Sequence, residues 1–376
     1  MKNRFFLILL AALSILIIGY FAFKDRDNPD NNSKQIINIG AVLPLTGDVA
    51  SYGTDSKDGI DLAILLANKS QNKYEFVVNF QDSKGDPKTA VTAFQQIIST
   101  KNPIAVIGEN ISSSTGAMIP IAEKNKILLI SPSASAPNLS GLSKYFFRVF
   151  PSDDEEGAFM SKIINEQHPN GNVAIIYVNN DYGLGLKNVF EKVSKTNSIN
   201  VTVSQGFEPN TKDFKALLAR IKEYEIDAIY IPSYYEGGAS LVKQIREQGI
   251  RADIYGCTTH EDQKFLEIAG DAAEGFQYPV STGYDENSQD KEVVNFIAEF
   301  EKLKGKKPGL VTALGYDSAK LIIDGILING TNTNSIRDYL LNTKAIIGAA
   351  GIMNFDKEGN VHKEIILKKV INGSFK

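Results

Sequence analysis

The sequence predicts an α/β protein of two doubly wound lobes with mainly parallel sheets. Three observations carry this. From Gln35 onward, strands rich in β-branched residues alternate with helix-length stretches, and no hairpin signal interrupts them until the tail. The strand–helix rhythm restarts after Phe150, which marks a second unit rather than a continuation. The 376 residues are enough for two cores of ordinary size.

Residues 1–23 precede the globular region. Lys2 and Arg4 lead into Phe5–Phe23, a run of nineteen uncharged residues. A charged start before an apolar run is the pattern of a signal peptide, and a run of this length also suffices to cross a bilayer as a helix. No A-x-A cleavage pattern precedes Lys24, which favours an uncleaved anchor over a cleaved signal. No cysteine ends the run, which excludes a lipoprotein signal. Either way the bulk of the chain is exported. Residues 24–35 are polar, contain Pro29, and read as a tether.

In the first half, Gln35–Leu43 is a strand, Tyr52–Lys69 carries apolar residues at helical spacing, and Glu75–Phe80 is a second strand. Asp86-Pro87 opens a helix that runs to Thr100, with proline well placed in its first turn. Ile104–Gly108, the helix Ser113–Lys124, Ile127–Ile130 and Lys144–Phe150 complete this half. In the second half a helix, Gly157–Gln167, follows the acidic Asp153–Glu156; four carboxylates at a helix start suit its dipole and need no chemistry to explain them. Strands at Asn172–Val178, Asn200–Phe207, Asp227–Ile231 and Asp253–Cys257 alternate with helices ending at Lys195, Tyr224 and Gln248. The tail offers a strand, Phe276–Val280, and helices at Lys291–Lys304, Val311–Ile328 and Ser335–Asn342. Strands Gly348–Phe355 and Glu364–Ile371 then flank a turn, Asp356–Asn360, in which Gly359 suits a left-handed conformation. Helices so late in the chain imply a return to the first lobe and one more crossing.

Composition excludes several classes. The net charge is −4, with no basic run and no interleaving of aromatic and basic residues, so nucleic acid is not an expected partner. The single cysteine, Cys257, excludes an intrachain disulfide and a thiolate metal cluster. His168, His260 and His362 form neither HxH nor HExxH, and no metal or cofactor is expected. The GLG at 183–185 lacks the third glycine of a dinucleotide fingerprint, since position 188 is Asn188. Without GxSxG, a P-loop or a cysteine–histidine arrangement, the chain does not read as an enzyme.

One stretch concentrates the chemistry. Ile104–Pro137 (IAVIGENISSSTGAMIPIAEKNKILLISPSASAP) places two serine-rich turns after consecutive strands, at the sheet edge where α/β proteins bind ligands. A helix starting at Ser112–Thr115 brings uncapped N–H groups and the positive end of its dipole to the same edge. Hydroxyls and N–H groups suit a carboxylate or another small anion. Ser112 as an ordinary N-cap is an equally good reading of this stretch taken alone.

The chain resembles the branched-chain amino-acid-binding family of periplasmic solute receptors. The segments that carry the resemblance are IGAVLPLTGDVASYG, DSKGDPKTAV, GENISSSTG, ISPSASAP, DYGLG, DFKALLARIKE, AGDAAEGF and MNFDKEGN, in family order from about Ile37 to Val370. The resemblance implies a type I periplasmic-binding-protein fold, two lobes joined by three crossovers near Phe150, Ser281 and Gly348. The first lobe would hold residues 36–150 and 282–348, the second residues 151–281 and 349–376. It implies that Ser112 binds a ligand carboxylate, and that Ser133, Ala134 and Ser135 form the loop serving carboxylate and ammonium, with Asn110 and Ile111 beside them. Tyr52, Tyr182 and Tyr234 fall at aromatic positions of the cleft, and Val311 stands where an aromatic is frequent. The acid that pairs with the ammonium in type members is replaced here by Thr258. Glu236, Glu261 or Asp262 could take that part, tyrosine faces could stabilise the cation by about 0.5–2 kcal/mol, or the ligand lacks an α-ammonium. The family's disulfide positions hold Gly85 and Ile111.

The function implied is an extracytoplasmic receptor that hands a small carboxylate-bearing solute, an amino acid, to the membrane permease of an ABC importer. The alternative is an anchored sensor that passes lobe closure to a signalling partner; the chain shows no output domain for it.

Overall fold

The computed structural model describes residues 34–197 and 199–376. The apolar run Phe5–Phe23 and nearly all of the expected tether lie outside the described residues. The tether ends earlier than expected, because Lys34 donates to the Asn68 and Gln71 carbonyls, each at 3.0 Å, and Gln35 opens the first strand. No helix among the described residues is long and apolar enough to cross a membrane.

The elements follow the chain as β1 (Gln35–Leu43), α1 (Ala50–Ser70), β2 (Tyr74–Asp82), α2 (Pro87–Lys101), β3 (Ala105–Gly108), α3 (Ser112–Asn125), β4 (Leu128–Ser131) and β5 (Phe146–Arg148). The second half continues with α4 (Asp153–Gln167), β6 (Asn172–Val178), α5 (Asp181–Ser194), β7 (Asn200–Phe207), α6 (Lys215–Ile221), β8 (Ala228–Tyr230), α7 (Tyr235–Glu247), β9 (Asp253–Tyr255), α8 (Gln263–Ala269) and β10 (Gln277–Ser281). The tail holds α9 (Lys291–Lys304), α10 (Leu310–Asn329), α11 (Thr333–Asn342), β11 (Ile346–Gly348), β12 (Gly351–Met353), β13 (Ile365–Ile371) and β14 (Ser374–Phe375).

The first sheet has five strands in the order β2-β1-β3-β4-β5, all parallel. The second has seven, β14-β13-β10-β9-β8-β6-β7, parallel from β10 to β7 with an antiparallel edge made by the chain's end. The central strands are apolar on both faces, as sheets covered by helices require: every residue of β3, β4 and β10 is buried. Strand order reverses beside β1 and β3 in one sheet and beside β6 and β8 in the other. Each reversal opens a crevice at the carboxyl ends of the strands, and the two crevices face each other.

Helices α9, α10 and α11 return to the first lobe, where Phe296, Leu321 and Ile336 join its core. Helix α10 lies against α1 so closely that glycine is required on both: a Cβ on Gly59 would sit 2.0 Å from the Thr312 carbonyl oxygen, and one on Gly315 2.2 Å from that of Ser56. This contact fixes the start of α1, and with it Tyr52, over the crevice.

The tail departs from expectation. Gly348–Phe355 and Glu364–Ile371 do not pair with each other. β12 folds back on β11, and β13 crosses to the second sheet and pairs with β10. The turn between them is real: Asp356 donates its N–H to the Asn360 carbonyl at 2.9 Å, Gly359 has φ +79°, and Phe355 bridges Val361. Ala349, Ala350, Met353, Phe355 and Val361 pack in the first lobe's core, so the third crossing comes after Val361 and not at Gly348. Asp317 of α10 holds the approach to it, accepting the N–H groups of Ala349 (2.6 Å) and Ala350 (2.8 Å).

Candidate binding cleft

A cavity of about 830 Å³ lies between the lobes. Its floor on the first lobe is the stretch Asn110–Ser135. Helix α3 begins at Ser112, one residue earlier than expected, and Ile111 takes the N-cap position without a side-chain bond. Ser112 is therefore not a cap. Its hydroxyl accepts the N–H groups of Ser135 (3.3 Å) and Ala136 (3.1 Å), which stitches the β4–β5 loop to the helix. Both acceptor sites of the oxygen are then filled, and its own proton is left to donate into the cavity. The first N–H groups of α3 have no acceptor four residues back within the helix, so this floor is a set of neutral donors aimed at an anion.

Asn110 and Ser133 complete that floor. The Asn110 amide donates to Ser56 and Ser133, each at 2.9 Å, while its buried carbonyl oxygen has no protein partner. Ala134 is buried but does not line the cavity, and its N–H is taken by the Ser131 hydroxyl at 2.9 Å. Beneath the floor, Glu109 accepts from the Ser83 hydroxyl and the Ile111 N–H, and burial pushes its carboxyl up to about 8. A protonated Glu109 adds no negative charge under the anion site. Gly85 and Ile111 do sit side by side: a Cβ on Gly85 would be 3.6 Å from the Ile111 side chain, so apolar contact stands where the family's disulfide would be. Arg148 anchors the loop from behind, donating to Asn360 (2.7 Å), the Ala136 carbonyl (3.0 Å) and Ser140 (2.6 Å).

The second lobe supplies an aromatic wall. Tyr182 stacks on Tyr234 with ring centroids 5.1 Å apart, and Tyr52 reaches across from the first lobe to lie edge-on to Tyr235 at 5.2 Å. The Tyr52 hydroxyl donates to the Thr259 carbonyl at 2.8 Å, Ser51 bonds Asp262, and Lys212 lies 3.6 Å from Asp48. The lobes are thus drawn together over the cavity. Val311 lines it from the start of α10.

Thr258 lines the cavity as expected, and the acids proposed to replace it behave differently from one another. Glu236 is outside the lining and pairs with Lys212 at 2.5 Å. Glu261 lines it but is bound to Lys368 at 2.7 Å. Asp262 caps α8 through the Lys264 N–H (2.8 Å) in addition to holding Ser51. Two further carboxyls, which the helix-dipole reading passed over, are buried near this wall without an ion pair among the described residues. Helix α4 starts at Asp153, not Gly157, so the acidic run forms its first turn. Asp154 and Glu155 stay at the surface, whereas Asp153 and Glu156, three residues apart and on one face, are buried. Both oxygens of Asp153 lack a partner of good geometry although the side chain lies beside Ser135. Burial and then the neighbouring Glu156 push Asp153 well above the ordinary carboxylate range; burial pushes Glu156 to about 7. Ser281 on the cavity wall also has an unpartnered buried hydroxyl. The i, i+3 spacing of Asp153 and Glu156 was the available signal for the pair; nothing local marked Ser281.

Comparison with known proteins shows the family. The profile of the periplasmic binding protein family matches residues 36–364. A leucine-, isoleucine-, valine-, threonine- and alanine-binding protein of Pseudomonas aeruginosa is 27% identical over 329 residues, 86% of this chain and 87% of its own. The crystal structure of a leucine-binding protein, LivK, from Thermotoga maritima superposes with a TM-score of 0.82 at 27% identity, over 90% of this chain and 97% of its own. That of LivJ from Streptococcus pneumoniae in complex with isoleucine gives 0.81 at 25% identity, over 91% and 98%. The chain belongs to the periplasmic binding protein family, among the Leu/Ile/Val-binding receptors of type I fold.

Proposed function

We propose that the protein is the extracytoplasmic receptor of an ABC importer and captures a free α-amino acid with an apolar side chain by closing its lobes over it. The observation that carries the reading is one cavity in which a floor of neutral donors around Ser112 faces a wall of tyrosines and Thr258. A carboxylate would take the Ser112 proton and the N–H groups of α3. An ammonium would lie toward Thr258 and Ser135, with the buried Asp153 and Glu156 carboxyls one layer behind them, groups that cost several kcal/mol to bury ionised and alone. Tyr52, Tyr182 and Tyr234 would exclude water around an aliphatic side chain, and Val311 would leave it room. The relatives named for leucine, isoleucine and valine support the same ligand class. Residues 1–33, with their apolar run, would direct export and supply the tether to the membrane.

The test is a thermal-shift panel of amino acids and short organic acids. A ligand that binds only the folded state raises Tm by mass action, with about 2.7 kcal/mol of added stability at a hundredfold excess over Kd. A rise in Tm with aliphatic amino acids and none with their amides supports the reading. No shift and no calorimetric heat across the panel would refute it.

A further inference from the structure

The ligand's ammonium meets a wall that differs from that of the family's type members, since the acid expected there is Thr258. We infer that Glu156, acting through the Thr258 hydroxyl, supplies the counter-charge that this wall lacks, so that a buried carboxylate one layer behind replaces a carboxylate at the surface of the cavity. This inference rests on the reading that the ligand is an α-amino acid.

Three observations lead to it. Glu156 is 4% exposed, and its oxygens are engaged by Thr258 alone: the hydroxyl donates to one at 2.6 Å and the N–H to the other at 3.2 Å. Thr258 itself lines the cavity. The Thr258 hydroxyl has one proton and two acceptors within the wall, Glu156 at 2.6 Å and the Pro279 carbonyl at 3.0 Å, so its proton is taken there and toward the cavity its oxygen can only accept. An ammonium, with three donors and no acceptor, fits that demand; a carbonyl or carboxylate oxygen does not. The carboxylate behind polarises the hydroxyl and makes the accepted bond stronger than one to a free threonine.

The second observation is the balance of buried charge. Asp153 and Glu156 share one face of the first turn of α4, and among the described residues neither makes an ion pair. The third is elimination. Glu261 is held by Lys368, Glu236 by Lys212, and Asp262 is committed to the α8 cap and Ser51. Asp153 is buried behind Ser135 and does not line the cavity, which leaves Glu156, acting through Thr258, as the carboxyl that reaches the wall. Glu156 is a positioning residue, and its effect should fall on ligands that carry the cation.

The test uses the full chain in a mild nonionic detergent and isothermal calorimetry. The probes are L-leucine, L-isoleucine and L-valine, each against the acid that lacks the amino group: 4-methylpentanoate, 3-methylpentanoate and 3-methylbutanoate. Glu156→Gln keeps the shape and one of the two acceptors for Thr258 but removes the charge. It should weaken the amino acids about ten- to hundredfold, the range of a hydrogen bond to a charged group, and leave the desamino acids within about twofold of the parent. Thr258→Val, which deletes the relay but keeps the volume, should do the same and provides the measurement if the glutamine variant fails to fold. Thr258→Glu added to Glu156→Gln should return amino-acid affinity to within about tenfold of the parent, by putting the charge back at the wall. Amino-acid affinity retained in both single variants overturns the inference while the receptor reading stands. Equal losses for both ligand series overturn it too, as the mark of a structural role. A parent chain that binds none of the three amino acids overturns the ligand class, and the inference with it.

Discussion

Truncating Ser112 tests the floor of the cleft, and the structure makes the expected loss larger than that of one ligand contact. The Ser112 side chain is 2% exposed and its oxygen is the acceptor for two backbone N–H groups, those of Ser135 and Ala136. Ser112→Ala removes three interactions at once. One is the proton offered to a ligand carboxylate, a charged hydrogen bond of about 1.5–3 kcal/mol. The other two are N–H groups left unsatisfied, at about 1–3 kcal/mol each where water cannot reach them. The cavity lies alongside, so water can solvate part of that loss before a ligand binds and is excluded afterwards. The variant should therefore melt a few degrees lower in buffer, and its affinity for an aliphatic amino acid should fall by more than about a hundredfold, because the loop that carries Ser133 and Ser135 loses its tie to α3.

The assay is a calorimetric titration paired with thermal melts, and Ser113→Ala is the control. Ser113 is the next residue on α3, is only partly buried and does not line the cavity, so its truncation should leave affinity within about twofold. Parent-like affinity for Ser112→Ala, with a lowered melting temperature, would mean that the hydroxyl serves the loop alone and that the carboxylate is held elsewhere. Parent-like values for both quantities would contradict the hydrogen-bond arrangement itself.

Three further outcomes follow from other parts of the molecule. Glu109 holds its proton up to about pH 8 when folded but ionises near pH 4.5 in the unfolded chain, so stability drops as pH rises through that window. Glu109→Gln should make the fall in urea midpoint between pH 5 and 8 shallower, leaving the share owed to Asp153, Asp317 and Glu156, whose shifts have the same sign; a profile parallel to the parent's would contradict the burial argument. Tyr52→Phe keeps the ring against Tyr235 but loses the bond to the Thr259 carbonyl, and should lower affinity by about two- to tenfold with a larger radius of gyration in solution scattering; unchanged affinity would remove Tyr52 from closure. Glu236→Ala should leave amino-acid affinity within about twofold, because its carboxylate faces Lys212 outside the cavity, and a large loss in titration calorimetry would return it to the site.

The rhythm of strands and helices was legible because parallel sheets write it in local terms: continuous apolar strands, amphipathic helices, and caps such as Asp86 before Pro87, whose side chain accepts the Thr89 N–H at 2.7 Å. Ser112, Ser133, Tyr52 and Tyr182 were legible as cavity residues for the same reason, since each lies in a turn or a helix start at the ligand-binding edge of its sheet. The tail was misread because an apolar run does not name its partner. Ile365–Ile371 suits a hairpin across DKEGN as well as it suits the edge of β10, and the choice is made by a sheet laid down some ninety residues earlier.

The acidic run shows a different limit, and it bears on how such a site can evolve. Read along the chain, DDEE is a favourable first turn, and that is true of Asp154 and Glu155, the latter bonded to His362 at 2.6 Å. The period of the helix divides the same four letters into a wet pair and a buried pair. Only the position of β9 and of Thr258 beside α4 tells which pair is which. A charge that leaves the wall of a cavity can therefore be regained one layer back, on a helix turn whose acids look unremarkable, provided that a hydroxyl remains at the wall to transmit it. Where a receptor lacks an expected acid, the first turn of the helix behind the missing position is the place to look for it, before a different class of ligand is invoked.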